Sequence, residues 1–364
     1  MHKPWAVLML TGIAFTSLGQ DVLAQTQQKV PEAIYPIHSV LEDKKREIVY
    51  PSVAGNFVVY SQRKNNEFSV VRVSKGDLNA DGRSIAAAQL HEAIRYGVAV
   101  QDGSIGYISN RMGPISAWMR QAEGDGHIAI GNISTFKGAL IPANLKASGN
   151  GEVWVFDSSL EKTRRARVLD DFKDGFKQSE LIGQTWRMYH SDAWRYKQGY
   201  KSTESGMKNK FQSPSLFLFD RKSSQLMMIP NAFNGAISPD GKRVVFVRET
   251  SGNYDLWMQN VDGSDLTQLT SNRFGDFEPA FSPDGNRVVF ISNRDSKGNV
   301  RETSIYVISL KNGQIDRVTN ALRATDGGPA WKDNRSILFH SNRDLKKPQA
   351  RAGEKWNLWE VEYQ

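Results

Sequence analysis

The sequence predicts an all-β fold built from a repeated four-stranded unit. Two observations carry that prediction. The phrase AISPDGKRVVF at residues 236–246 returns as AFSPDGNRVVF at residues 280–290, 44 positions on (280 against 236). A second phrase closes an apolar run four times, at Ser61-Gln62-Arg63, Ser109-Asn110-Arg111, Ser292-Asn293-Arg294 and Ser341-Asn342-Arg343. A catalytic motif is needed once, whereas a phrase returning every 40 to 50 residues or so marks a structural array.

Each part of the repeat has a physical role. In SPDG, proline presets φ for the first corner of a turn, aspartate bonds to local backbone, and glycine accepts positive φ. The turn delivers KRVVFV or NRVVFI, whose apolar residues are consecutive rather than alternating, as in a strand buried on both faces. A polar turn follows, SGN or the longer DSKGN. Next come a strand (YDLWMQNV or SIYVISL), a turn (DGSD or KNGQ) and a last strand (LTQLT or IDRVT). Four strands in roughly 45 residues, one of them doubly buried, describe a β-propeller blade.

The spacing of the copies predicts seven blades. Ser61 to Ser109 and Ser292 to Ser341 are each one period, while Ser109 to Ser292 is 183 positions (292 minus 109), close to four periods. Six is the alternative, because EVWVFD at 152–157 and SLFLFD at 215–220 are ambiguous within a blade and SGNG at 148–151 imitates SPDG. The last copy, ending WNLWEVEY, lacks a fourth strand, and the N-terminal side has spare sequence that includes REIVY at 46–50. An N-terminal strand is therefore expected to close the ring, which removes open sheet edges.

Residues 1–24 read as a secretory signal peptide: Lys3, an interrupted apolar run from Trp5 to Leu18, and small-residue cleavage chemistry at Val22-Leu23-Ala24. The apolar run is too short to span a membrane, and no later stretch is long enough. Residues 25–45 form an N-terminal segment contributing to closure, and 46–364 the propeller. With no cysteine in 364 residues, the sequence offers no disulfide framework, no thiolate metal site and no lipidated cysteine of the bacterial lipoprotein kind. A periplasmic chain is expected. Its formal charge of +8 suits solubility, or acidic glycans and acidic protein surfaces after export, rather than nucleic acid.

SPDGKRVVF, SPDGNRVVF and the Ser-Asn-Arg endings resemble the repeats of the TolB-like propeller family, over most of residues 50–364 and most sharply over 230–345. The resemblance implies a periplasmic protein of the Tol–Pal envelope type, contacting a peptidoglycan-associated lipoprotein. The separate α/β domain that precedes that family's propeller has no counterpart in residues 25–45. Similar repeats form the propeller of prolyl-oligopeptidase-type peptidases, but their Gly-x-Ser-x-Gly elbow does not occur here.

Several constellations are candidate sites. Asp77, Asn79 and Asp81, followed by Gly82, match the start of a calcium loop, but the twelfth position is Ala88 rather than glutamate. His91-Glu92 begins a zinc-protease motif that fails at Arg95. His38, His127, His190 and His340 are far apart in sequence and form a metal site only if blades bring them together. The least repeat-like stretch, 185–211, combines aromatics with cations. There Trp194, Arg195, Tyr196, Lys197, Tyr200 and His190 are expected to bind a partner or ligand, on an enlarged loop of blade four. Arg63, Arg111, Arg294 and Arg343 recur with the blade and are expected to pair with an aspartate of a neighbouring blade.

The function expected from the sequence is a non-enzymatic, monomeric binding or scaffold protein. One propeller face holds an envelope protein or an acidic glycan, with no cofactor. The alternative is a propeller lyase or hydrolase acting on an acidic saccharide.

Overall fold

A computed structural model describes residues 35–41, 46–64, 67–79, 83–87, 94–109, 116–123, 126–130, 143–158, 215–250, 253–299, 302–320, 323–344 and 356–363. They form six antiparallel four-stranded sheets arranged as blades. Blade one is β2 (Arg46–Ala54), β3 (Phe57–Lys64), β4 (Glu67–Ser74) and β5 (Arg83–Ala87); blade two is β6 (Ile94–Ala99), β7 (Ile105–Ser109), β8 (Ser116–Arg120) and β9 (His127–Ala129). Blade three is β10 (Ala143–Ala147), β11 (Val153–Ser158), β12 (Ser215–Asp220) and β13 (Gln225–Pro230). Blade four is β14 (Phe233–Ile237), β15 (Arg243–Thr250), β16 (Asn253–Asn260) and β17 (Thr267–Gln268). Blade five is β18 (Asp276–Phe281), β19 (Arg287–Ser292), β20 (Ser304–Ser309) and β21 (Ile315–Arg317). Blade six takes β22 (Asp326–Trp331), β23 (Ser336–Ser341) and β24 (Asn357–Glu362) from the C-terminal side and β1 (Ile37–Leu41) from the N-terminal side.

The seven-blade expectation is therefore corrected to six. The 183 positions between Ser109 and Ser292 hold only two intervening blades, because residues 159–214 lie between the second and third strands of blade three. EVWVFD and SLFLFD are paired neighbours in that blade, in register from Val153 against Asp220 to Ser158 against Ser215. Closure by an N-terminal strand holds, and the strand comes from within residues 25–45. REIVY opens β2, the innermost strand of blade one, whereas IHSVL (β1) pairs with β24 at Ile37 against Val361 and His38 against Glu360.

The repeated phrases act as their chemistry predicts. Gly241 holds φ +72° and Ser238 Oγ accepts the Arg243 N–H at 2.9 Å. Asn150 stands where aspartate does elsewhere: Ser148 Oγ donates to its side chain at 2.7 Å and accepts the Val153 N–H at 3.0 Å, so SGNG is an SPDG turn in another spelling. The second strands are the most buried elements. Val244, Val245, Phe246 and Val247, like Val288, Val289, Phe290 and Ile291, have no exposed surface. Blades are tied edgewise by the arginine that follows the turn. Arg243 donates to the Gly285 carbonyl at 2.8 Å and Arg287 to the Asn334 carbonyl at 2.7 Å, in each case reaching the turn of the next blade.

The Ser-Asn-Arg arginines pair within their own blade rather than with a neighbour. Arg294 meets Asp276 at 2.9 Å, Arg343 meets Asp326, and Arg63 meets Glu47 at 2.8 Å. The geometry explains this: the antiparallel hairpin returns the end of the second strand to the start of the first. Asn293 and Asn342 accept the backbone N–H groups of Gly275 and Thr325, satisfying the chain that enters the innermost strand. Arg111 lies outside the described residues.

Candidate functional site

The first strand of every blade faces the axis, and each carries the same irregularity. The register slips between Val49 and Ser52, Arg95 and Val98, Ala143 and Lys146, Phe233 and Ala236, Phe277 and Ala280, and Gly327 and Ala330. Within each slip one residue has positive φ: Tyr50, Tyr96, Asn144, Asn234, Glu278 and Gly328, all between +49° and +54°. These are β-bulges, which leave a backbone group outside the ladder. Four of the freed N–H groups find an acceptor on the preceding blade. Tyr50 donates to His340 Nδ1 at 3.1 Å, Gly97 to Ser61 Oγ at 3.3 Å, Asn234 to Asp157 Oδ2 at 2.9 Å, and Gly328 to Glu278 Oε2 at 2.6 Å. A buried N–H without a partner is costly, so these side chains stitch the ring at its centre.

The bulges line an axial cavity with about 460 Å3 of empty space, open solvent included. Tyr50, Tyr96, Asn144, Asn234, Lys146 and Glu278 are among its walls. Asn144 donates to Asp157 at 2.5 Å, and the Tyr50 and Tyr96 rings meet at 5.3 Å.

Burial sets the electrostatics. It pushes the Lys146 ammonium below its ordinary range, a displacement that the charge of Glu278 opposes. It pushes the Glu278 carboxyl up, against the Gly328 N–H and Lys146. Burial, with a smaller contribution from Lys146, drives His340 down to about 3, so its ring is neutral. Asp157 is raised to about 7 by burial, against the hydrogen bonds from Asn234, Asn144 and Gly235. Lys146 and Glu278 thus act on one another within the cavity.

The residues singled out from the sequence fall elsewhere. His190, Trp194, Arg195, Tyr196, Lys197 and Tyr200 lie outside the described residues; their segment joins β11 to β12, so it belongs to blade three and not blade four. Asp81 is also outside them. Asp77 and Asn79 are described and form a local turn after β4, the Asn79 N–H donating to Asp77 Oδ1 at 3.2 Å. His38 faces Glu360 at 3.7 Å on the closing strand, His127 contacts Tyr107 Oη at 2.5 Å on β9, and His340 sits in β23, so these three do not converge.

Sequence reasoning missed Lys146, Glu278, Asp157 and the bulge ring. A signal existed. Each positive-φ residue stands six positions before the Asp or Asn of the following turn: Asn56, Asp102, Asn150, Asp240, Asp284 and Asn334. Proline or glycine follows it in five of the six cases: Pro51, Gly97, Gly235, Pro279 and Pro329. The face on which the innermost strands begin exposes Arg273 and Arg323, while the turns of the opposite face expose both acids, Asp240 and Asp284, and cations, Lys242 and Arg335.

Residues 206–303 match the family described as the TolB beta propeller domain. A 135-residue stretch is 30% identical to the Tol-Pal system protein TolB of Anaeromyxobacter dehalogenans strain 2CP-C, covering 35% of this chain. The protein of the same name from Anaeromyxobacter sp. strain K is 29% identical over a stretch of the same length. The match spans 30% of the length of these curated relatives. Among solved structures, a putative TolB from Agrobacterium tumefaciens aligns with 90% of this chain and 97% of its own at a TM-score of 0.50 and 13% identity. An oligogalacturonate lyase from Vibrio parahaemolyticus aligns with 92% and 95% at 0.50 and 10%. At such identities the structural likeness is one of fold.

Proposed function

Because this chain carries the repeats of the TolB-like propeller family, we propose that it is a non-enzymatic binding protein of the bacterial periplasm, holding an envelope protein on one propeller face. The observation that carries this reading is the pairing of those repeats with a six-bladed ring closed by β1 against β24. The innermost strands begin beside exposed Arg273 and Arg323, which suit an acidic partner surface. Closure fixes the loops before the partner arrives, so little conformational freedom is lost on binding. The same reading gives Trp194, Arg195, Tyr196, Lys197, Tyr200 and His190 a contact role on the blade-three segment.

The test is fractionation of cells expressing a C-terminally tagged chain, followed by crosslinking and capture. A processed chain in the periplasmic fraction with a stoichiometric protein partner supports the proposal. A cytoplasmic chain, or a periplasmic one without a partner, contradicts it. A second reading, a lyase or hydrolase acting on an acidic saccharide, is favoured by one observation: Glu278 lines the axial cavity, and Asp157 and His340 each accept a backbone N–H of a bulged innermost strand. Release of unsaturated uronic acids from pectic or alginate oligosaccharides by the purified chain separates the two readings.

A further inference from the structure

The bulge ring needs no charge. At the positive-φ position the other five blades place Tyr50, Tyr96, Asn144, Asn234 and Gly328, and only blade five places a carboxylate, Glu278. Two positions later the other five blades place Ser52, Val98, Ala236, Ala280 and Ala330, and only blade three places a cation, Lys146. Both exceptions line the same cavity. They influence one another electrostatically, and no ion pair joins them among the described residues, so the cavity walls carry an amine and a carboxyl set apart, each pushed by burial towards its uncharged form.

Glu278 is held in place. Its Oε2 accepts the Gly328 N–H at 2.6 Å, while its Oε1 is buried without a hydrogen-bond partner among the described residues. A ligand that suits this cavity must accept from an ammonium on one side and donate to a fixed carboxylate on the other. His340, the next cation candidate, is neutral, and its Nδ1 accepts the Tyr50 N–H.

We propose that the axial cavity binds the zwitterionic head of a small α-amino acid, with the carboxylate on Lys146 and the ammonium on Glu278. Each ligand charge supplies the counter-charge that burial denies its partner, and both contacts are charge-assisted hydrogen bonds. The site is independent of the protein-binding reading, because it uses the axis and not a face.

The test is calorimetric titration of the purified full chain with glycine and L-alanine. The controls are N-acetylglycine, which lacks the ammonium, and glycine methyl ester, which lacks the carboxylate. The expected result is saturable binding of at least one amino acid, weakened about tenfold or more in each blocked form, since each removes a charge-assisted contact. Lys146→Met and Glu278→Gln, checked for native circular dichroism, should weaken it to a similar extent. Absence of binding to both amino acids at millimolar concentration overturns the proposal. Equal binding of either blocked form, or unchanged binding in both folded variants, also overturns it. Should a variant not fold, the series of ligands on the unaltered chain decides by itself.

Discussion

His340 in the sixth blade accepts the backbone N–H of Tyr50 in the first at 3.1 Å, joining residues 290 positions apart where the ring meets itself. The bond is possible because Gly328, between them in space, has no side chain. A Cβ there would lie 2.7 Å from the imidazole. Closure thus depends on one bulged strand, one neutral histidine and one glycine as well as on the pairing of β1 with β24.

Gly328→Ala should destabilise the protein by at least about 2 kcal/mol, combining about 1–2 kcal/mol for a left-handed alanine with the collision against His340. Ser224 has φ +57° but lies in an exposed hairpin turn, so Ser224→Gly should be neutral or stabilising by up to about 1 kcal/mol. Urea unfolding of both variants checks the contrast. Effects of similar size and opposite sign would show that positive φ, and not the axial contact, governs the cost.

Arg343→Met should be severe, because Asp326 has no exposed surface and keeps, among the described residues, only its side-chain hydrogen bond from Thr319 at 2.6 Å. Breaking a buried pair by removing one partner typically costs about 3–5 kcal/mol. Adding Asp326→Asn should recover much of that loss, since it removes the stranded charge. A double variant no more stable than the single one would deny the arginine this role.

Stability should depend on pH in two opposing ways. Asp157, at about 7 in the folded chain against an ordinary 3.8, holds its proton more tightly when folded. Its contribution is complete below pH 3.8 and is lost as pH rises through about 7, and Asp255, at about 6, adds to that trend. His340, at about 3 against 6.5, resists protonation when folded, so stability falls as pH drops from 6.5 towards 3. Asp157→Asn should flatten the decline between pH 4 and 7, while His340→Gln should raise stability below pH 6 relative to the unaltered chain. Denaturant titrations at several pH values read both effects, and parallel curves for all three proteins would refute the assignment.

The closing strand can be locked. His38 and Glu360 are cross-strand partners, and the chain has no cysteine to compete. His38→Cys with Glu360→Cys should form a disulfide that raises the melting temperature reversibly with reductant, because it closes a very long loop. Failure to oxidise would contradict the pairing of β1 with β24.

The sequence revealed the blade and concealed the centre, for a physical reason. SPDG and Ser-Asn-Arg are local solutions to a turn and to a strand start, so they recur as words, and their hydrogen bonds are the ones their chemistry foretold. The blade count was misread because Ser109 and Ser292 were assumed to be separated by whole periods, although one hairpin, β11 to β12, carries a long segment. Lys146 and Glu278 are invisible because a motif search looks for residues near in sequence, whereas these line one cavity only after the innermost strands of two blades turn towards one axis. His340 was noticed as a histidine, but its partner Tyr50 lies at the other end of the chain.

The most direct test of the central claim, that a propeller face holds an envelope protein, is photo-crosslinking in living cells from a benzophenone amino acid at Arg273. Arg273 is exposed where the innermost strand of blade five begins, and Met228, half exposed on outer strand β13, is the control position. The account predicts one discrete protein adduct from position 273 and none from 228. Adducts from 228 alone, or none from either position, would contradict it.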